Sequence, residues 1–125
     1  MSAIRPNKEQ FKELIDSPDD EPVVMLNLLK FKPRDGAAEY GKYGDSVSKM
    51  VEARGGKILW MGKVDQTLIG PTDEQWDSVA LVQYPSRKAF IEMTSSKEYE
   101  GAHEHREGGL SRTVLLACTP RGGEL

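Results

Sequence analysis

EPVVMLNLLKFK, residues 21–32, is the densest apolar run of the chain. Both of its alternating faces are apolar: Val23, Met25, Leu29 and Phe31 on one, Val24, Leu26 and Leu28 on the other. A strand of this kind is covered on both sides. Asn27 is the polar residue in its middle, flanked in period 2 by Met25 and Leu29. It therefore points into an apolar layer, where an unpaired amide costs on the order of 1–3 kcal/mol.

Upstream, Asn7 follows Pro6 as an N-cap, and Phe11, Leu14 and Ile15 share one face, which predicts a short amphipathic helix over residues 8–16. Pro18 and Pro22 stop it. Downstream, Pro33-Arg34-Asp35-Gly36 ends the strand, and the period turns helical over residues 37–54. Ala37, Tyr40, Gly44, Val47 and Val51 form one stripe, Tyr43 and Met50 widen it, and Gly55-Gly56 close the helix. Gly41 and Gly44 lie on or beside that stripe, so close approach of a strand or a ligand is expected there. KILWMGKVDQTLIG, residues 57–70, predicts a long strand bent near Gly62 or Asp65. SVALVQY, residues 78–84, is again apolar on both faces. Ser86 caps a helix with Ala89, Phe90 and Met93 inward, and Ser95-Ser96-Lys97-Glu98 restarts it as a second segment ending near Glu107 and Gly108-Gly109. RTVLLAC, residues 112–118, is the last strand.

A helix followed by βαββαβ is the ferredoxin-like split unit, an α+β fold with a four-stranded antiparallel sheet. Right-handed crossovers put the first and third strands in the centre and the main helices on one face. The expected division is an N-terminal helical extension over residues 1–21, the ferredoxin-like domain over 22–119 and a flexible tail over 120–125. Two helices cover one face of such a sheet, yet three of the strands are apolar on both. The uncovered face exceeds what a soluble monomer leaves wet. The expected partner is a second copy of the chain, sheet face to sheet face about a two-fold axis, giving a dimeric α/β barrel.

The totals restrict the function classes. The 125 residues suffice for one domain with a modest core. A net charge of −3 supplies no basic field for nucleic acid or an anionic membrane. No signal core and no run long enough to span a membrane is present. Cys118, the single cysteine, excludes an intrachain disulfide, and its apolar run predicts a buried thiol. Together these predict a cytoplasmic protein.

Chemistry concentrates in YEGAHEHREGGL, residues 99–110. At 100° per residue Tyr99, Ala102, His103, Arg106 and Leu110 fall on one inward third of the helix. His103 moves protons near neutral pH, and the planar fork of Arg106 holds a carboxylate or enolate oxygen. The competing reading is packing, with His103 bonded to a backbone carbonyl and Arg106 paired with Glu39, Glu52 or another acid. His103 and His105 project about 200° apart on a helix, so they do not share a metal ion, and no metal or cofactor is expected. His105 is expected at the helix flank. Asn27, Tyr40, Tyr43 and His105 are candidates to line a ligand pocket, and Trp76, just before the third strand, is a candidate lid. For each, ordinary core or loop packing is the alternative.

VVMLNLLKFK, the Tyr-x-x-Tyr helix running to EARGGKILW, WDSVALVQYPSRKAF and SSKEYEGAHEHREGGL together resemble an uncharacterised bacterial family, domain of unknown function 1330. The resemblance covers residues 22–119 and implies the dimeric α/β-barrel superfamily of ferredoxin-like folds. That superfamily holds cofactor-free monooxygenases, muconolactone-type isomerases, haem-handling enzymes and stress-responsive barrels, with no shared catalytic set. Three readings follow: a metal-free enzyme acting on a small oxygenated, anionic or aromatic molecule, with His103 and Arg106 catalytic; a dimeric binding or stress-responsive module; or a dimer with a filled core.

Overall fold

The computed structural model describes residues 4–123. The outermost parts of the expected extension and tail, residues 1–3 and 124–125, lie outside the described residues. The elements run α1 (Lys8–Asp16), β1 (Val23–Phe31), α2 (Gly36–Ala53), β2 (Lys57–Lys63), β3 (Ser78–Tyr84), α3 (Arg87–Thr94), α4 (Lys97–Gly109) and β4 (Leu110–Cys118). The four strands lie in the order β2-β3-β1-β4, each antiparallel to its neighbour. This is the ferredoxin-like arrangement, with β1 and β3 central and the second crossover split between α3 and α4.

Side-chain caps fix the helix starts. Asn7 and Gln10 form a reciprocal capping box on α1, Ser86 accepts from the Ala89 amide and Ser96 from the Tyr99 amide. Asp19, in the loop before β1, adds a cap across the fold by accepting from the Arg87 and Lys88 amides at 2.6 and 3.0 Å. An acid at a helix N-terminus is favoured by the free amides and the helix dipole.

Directly paired residues in an antiparallel sheet share a face. Val23, Met25 and Tyr84 meet Tyr43, Val47, Met50 and Val51 of α2, and Met93, Tyr99 and Ala102 of the second crossover, in one buried core. Asn27, paired with Ala80 and Leu115, stands on this helix-side layer. The opposite face carries Val24, Leu26 and Leu28 of β1, opposed by Val79 and Leu81 of β3 and by Val114 and Leu116 of β4. Trp60, opposite Leu81, extends it and is 51% exposed. No element of the described chain covers this face.

Several local expectations change. β2 stops at Lys63, short of residue 70, and one further cross-strand bond runs from the Val64 amide to the Asp77 carbonyl. Its irregularity lies between Ile58 and Trp60, with Leu59 the extra residue, and not at Gly62 or Asp65. Close approach occurs at Gly109 and Gly36, where a Cβ on Gly109 would sit 2.6 Å from the Gly36 carbonyl oxygen. A Cβ on Gly41 or Gly44 would meet nothing within 4 Å. Both positions face open space, although Tyr43 between them is buried. Cys118 is half-buried, not enclosed, because it pairs with Val24 on the uncovered face. Among the described residues no helix is long and apolar enough to cross a membrane.

Candidate functional site

The inward face of α4 follows from its spacing. Tyr99, Ala102, His103, Arg106 and Gly109 are its buried residues. Gly109 closes tightly on the start of α2, and the Lys32 amide bonds the Gly109 carbonyl at 2.8 Å. The two helices therefore bring α4's polar pair against the aromatic stripe of α2.

A run of rings links sheet and helices. Phe31 and Tyr40 centroids are 5.6 Å apart, Tyr40 and Tyr43 5.2 Å, Tyr43 and Tyr99 5.9 Å, and Tyr99 and His103 5.6 Å. The Tyr43 and Tyr99 hydroxyls bond each other at 2.8 Å in the interior. The Arg106 guanidinium lies 6.0 Å from the Tyr43 ring centroid, within reach of a cation–π attraction. Burial raises the Tyr40 phenol to about 12 against the opposing pull of Arg106. Burial likewise pushes Tyr43 well above its usual 10. Both phenols stay protonated donors at neutral pH.

Arg106 is only 5% exposed. Among the described residues no carboxylate lies within ion-pair distance of it. Its Nη1 donates instead to the Ile4 carbonyl at 2.6 Å. Glu39, one of the acids expected to pair with it, bonds His105 Nδ1 at 2.5 Å. That bond holds the Glu39 carboxyl below its ordinary value of 4.5.

His103 is 7% exposed. Its Nε2 lies 2.8 Å from Glu107 Oε1 but off the ring N–H direction, so both ring nitrogens are buried without a directed hydrogen bond. Among the described residues no backbone carbonyl takes the part that the packing reading gave it. The same Glu107 oxygen takes the Arg5 guanidinium, from Nε at 2.8 Å and from Nη2 at 2.5 Å. Desolvation lowers the His103 pKa below 6.5, and the charges of Arg5 and Arg106 lower it further against the opposing pull of Glu107. The imidazole is thus neutral, a proton acceptor, at pH 7.

The fold therefore gathers Tyr40, Tyr43, His103 and Arg106 and separates the other candidates. Asn27 donates from Nδ2 to the Met25 and Ala80 carbonyls, each at 3.3 Å. Both amide protons are occupied, and Oδ1 is its remaining polar atom. His105 sits at the helix flank with Glu39. Trp76 packs with its ring centroid 5.1 Å from the guanidinium of Arg112, an uncovered-face residue. The sequence reading missed Tyr99, Glu107, Arg5 and Ile4 as members of the site. Tyr99 and Glu107 stand four residues either side of His103, which the helical repeat makes its neighbours. Ile4 and Arg5 lie 102 residues from their partners, and no local signal marks them. Two surface depressions, of about 350 and 470 Å³, are lined by other residues: Asp45, Lys49 and Glu98 in one, Lys30, Gln75 and Arg112 in the other. Among the described residues no three His, Cys, Asp or Glu side chains converge.

The family described as Domain of unknown function (DUF1330) matches residues 28–119. A crystal structure of a protein of unknown function from Rhodopseudomonas palustris is 37% identical, with a TM-score of 0.90 over 98% of this chain and 100% of that one. A cofactor-independent oxygenase from Streptomyces nogalater has a TM-score of 0.58 at 13% identity, covering 82% of this chain and 96% of that one. A dabb family protein with a ferredoxin-like fold from Mesorhizobium loti has a TM-score of 0.54 at 12% identity, covering 81% and 98%. These last two likenesses concern the fold alone. No curated protein matches the chain.

Proposed function

The chain belongs to the DUF1330 family, a domain family of unknown function with a ferredoxin-like fold, and from that premise we propose that it is a homodimer whose helix-side site takes a small, anionic, oxygenated molecule and moves a proton on it. One observation carries this reading: Arg106 is a buried guanidinium without a carboxylate partner among the described residues. A buried charge held only by one carbonyl and a ring face is poorly compensated, and an anionic ligand supplies the missing charge through a two-pronged bond.

The chemistry follows from the neighbours. Neutral His103 accepts a proton from a C–H or O–H of the ligand. The electron pair left behind moves onto a ligand oxygen, Arg106 stabilises that oxyanion, and the proton returns from His103 to a second atom. Tyr40, protonated at working pH, offers a neutral phenol donor beside it, while the Tyr43 hydroxyl is bonded to Tyr99. Asn27 enters through Oδ1, as an acceptor, rather than as an oxyanion donor. Capture without turnover is the alternative for the same site, supported by the enclosure of the His103 ring.

Thermal-shift screening of small carboxylates, phenols and lactones tests the site. A ligand at a hundred times its Kd stabilises by about 2.7 kcal/mol. That gain should vanish in Arg106→Lys, which keeps charge and loses the fork, and weaken in His103→Gln. Hits that bind both variants unchanged place the site elsewhere. Turnover of a hit, lost in His103→Gln with binding retained, separates the enzyme from the binder.

A further inference from the structure

Resting on the anionic site at Arg106, we infer that the N-terminal strap at Ile4 and Arg5 sits in the ligand's seat: the Ile4 carbonyl holds the place of a ligand carboxylate oxygen, and the natural ligand is a small aromatic carboxylate that displaces the strap. The geometry supplies both halves. Arg106 Nη1 donates to the Ile4 oxygen at 2.6 Å, the bond a carboxylate makes more strongly because it carries charge. The Tyr43 ring lies 6.0 Å from this guanidinium and continues through Tyr40 to Phe31, and aromatic surroundings of that kind favour a planar aromatic body.

The second anchor of the strap is made to release. Arg5 binds Glu107 at the surface, with its side chain 70% and that of Glu107 44% exposed. Exposed pairs of this kind contribute little and are readily exchanged for water. The Glu107 oxygen it occupies is the one nearest His103 Nε2. Lifting Arg5 therefore removes a cation from beside His103 and frees the Glu107 oxygen that lies nearest its ring. Neither of the two surface depressions is lined by His103 or Arg106, and the strap bonds the Arg106 guanidinium directly.

The test uses the full chain and Arg5→Ala, an exposed change that leaves the core intact. Benzoate is titrated into both while the two imidazoles and the Ile4 carbonyl are followed by NMR. Acylation of His103 by diethyl pyrocarbonate is timed by mass spectrometry without ligand. Arg5→Ala should tighten benzoate on the order of five-fold, by raising the competent fraction, and should speed His103 acylation by a similar factor. Benzoate should shift the Ile4 carbonyl in the wild-type chain. If benzoate binds both proteins equally, shifts His103 and leaves Ile4 unmoved, the strap is not in the seat, while the Arg106 site survives. If benzoate binds neither protein but another small anion binds in an Arg106-dependent way, the aromatic carboxylate is the wrong class. If no anion binds either protein, both the strap proposal and the site fall together. Unchanged acylation in Arg5→Ala also overturns the strap.

Discussion

The buried Tyr43 and Tyr99 hydroxyls depend on each other, since each is the other's bond at 2.8 Å. Tyr43→Phe leaves the Tyr99 oxygen enclosed without its partner and should cost about 1–3 kcal/mol. The double change to phenylalanine should recover part of that loss, because no polar atom is then stranded. Urea midpoints of the two singles and the double read the coupling; additive losses would mean each hydroxyl finds another partner. His103 gives a pH signature of definite sign. Its folded pKa lies below 6.5 through burial first, then through Arg5 and Arg106. The unfolded chain therefore binds more protons between the folded value and 6.5, and stability is lost as pH falls through that window. His103→Gln should flatten the urea midpoint between about pH 7.5 and 5.5, above the range where the lowered Glu39 and Glu107 carboxyls act. A variant curve as steep as wild type would assign the dependence to another group. The inward pairing of His103 with Arg106 was legible because the helical repeat fixes it. What holds them was not, because a main-chain carbonyl at Ile4 has no identity in a sequence. The acids thought to neutralise Arg106 were equally unreadable: Glu39 is drawn to His105 by the way α2 meets α4.

Helix contacts turn on glycines that the apolar stripe did not single out. A periodic pattern shows which residues face inward but not where two backbones touch. Gly41 and Gly44 fell on or beside the stripe, yet the backbones of α2 and α4 close up instead at Gly36 and Gly109. Gly109→Ala would bring a Cβ to 2.6 Å from the Gly36 carbonyl and 2.7 Å from the Tyr40 amide nitrogen. Both obstacles are backbone, so α4 must move away from α2. The expected loss is about 2 kcal/mol or more, the upper part of the usual overpacking range. Gly41→Ala meets nothing within 4 Å and should instead stabilise α2 by up to about 1 kcal/mol. Thermal melts of the two variants should move in opposite directions, and a shared direction would mean the close contact yields more easily than two backbones should. Helix and strand order was readable for local reasons: caps at Asn7, Ser86 and Ser96 and two-sided apolar strands each specify their own element. The end of β2 was not, because Val64, Leu68 and Ile69 carry an apolar pattern past Lys63 into a loop where Leu68 and Ile69 stand exposed.

At the scale of the molecule the sheet has one covered face and one bare one, and the proposed dimer would form through the bare one. Leu26 stands at its centre, paired with Leu81 on one side and Leu116 on the other. Leu116 is 49% exposed at the edge of this patch, and the indole of Trp60 caps Gly62 at the opposite edge. The helix-side core shares no residue with this face. A polar change there should alter association and leave the fold in place. Leu26→Asp puts a carboxylate where a second copy's sheet would exclude water, and burying an unpaired charge costs several kcal/mol. The wild-type chain should sediment at twice its 13.9 kDa, with a melting temperature that rises with protein concentration. Leu26→Asp should sediment as a monomer with a concentration-independent melt and unchanged helical circular dichroism. Arg106 and His103 lie on the far layer of the sheet, so anion binding should survive in this monomer if the helix-side site is complete within one chain. Loss of binding with the fold intact would mean that the partner copy holds part of the site in place. A wild-type monomer at micromolar concentration would leave the apolar face without its occupant and overturn the barrel.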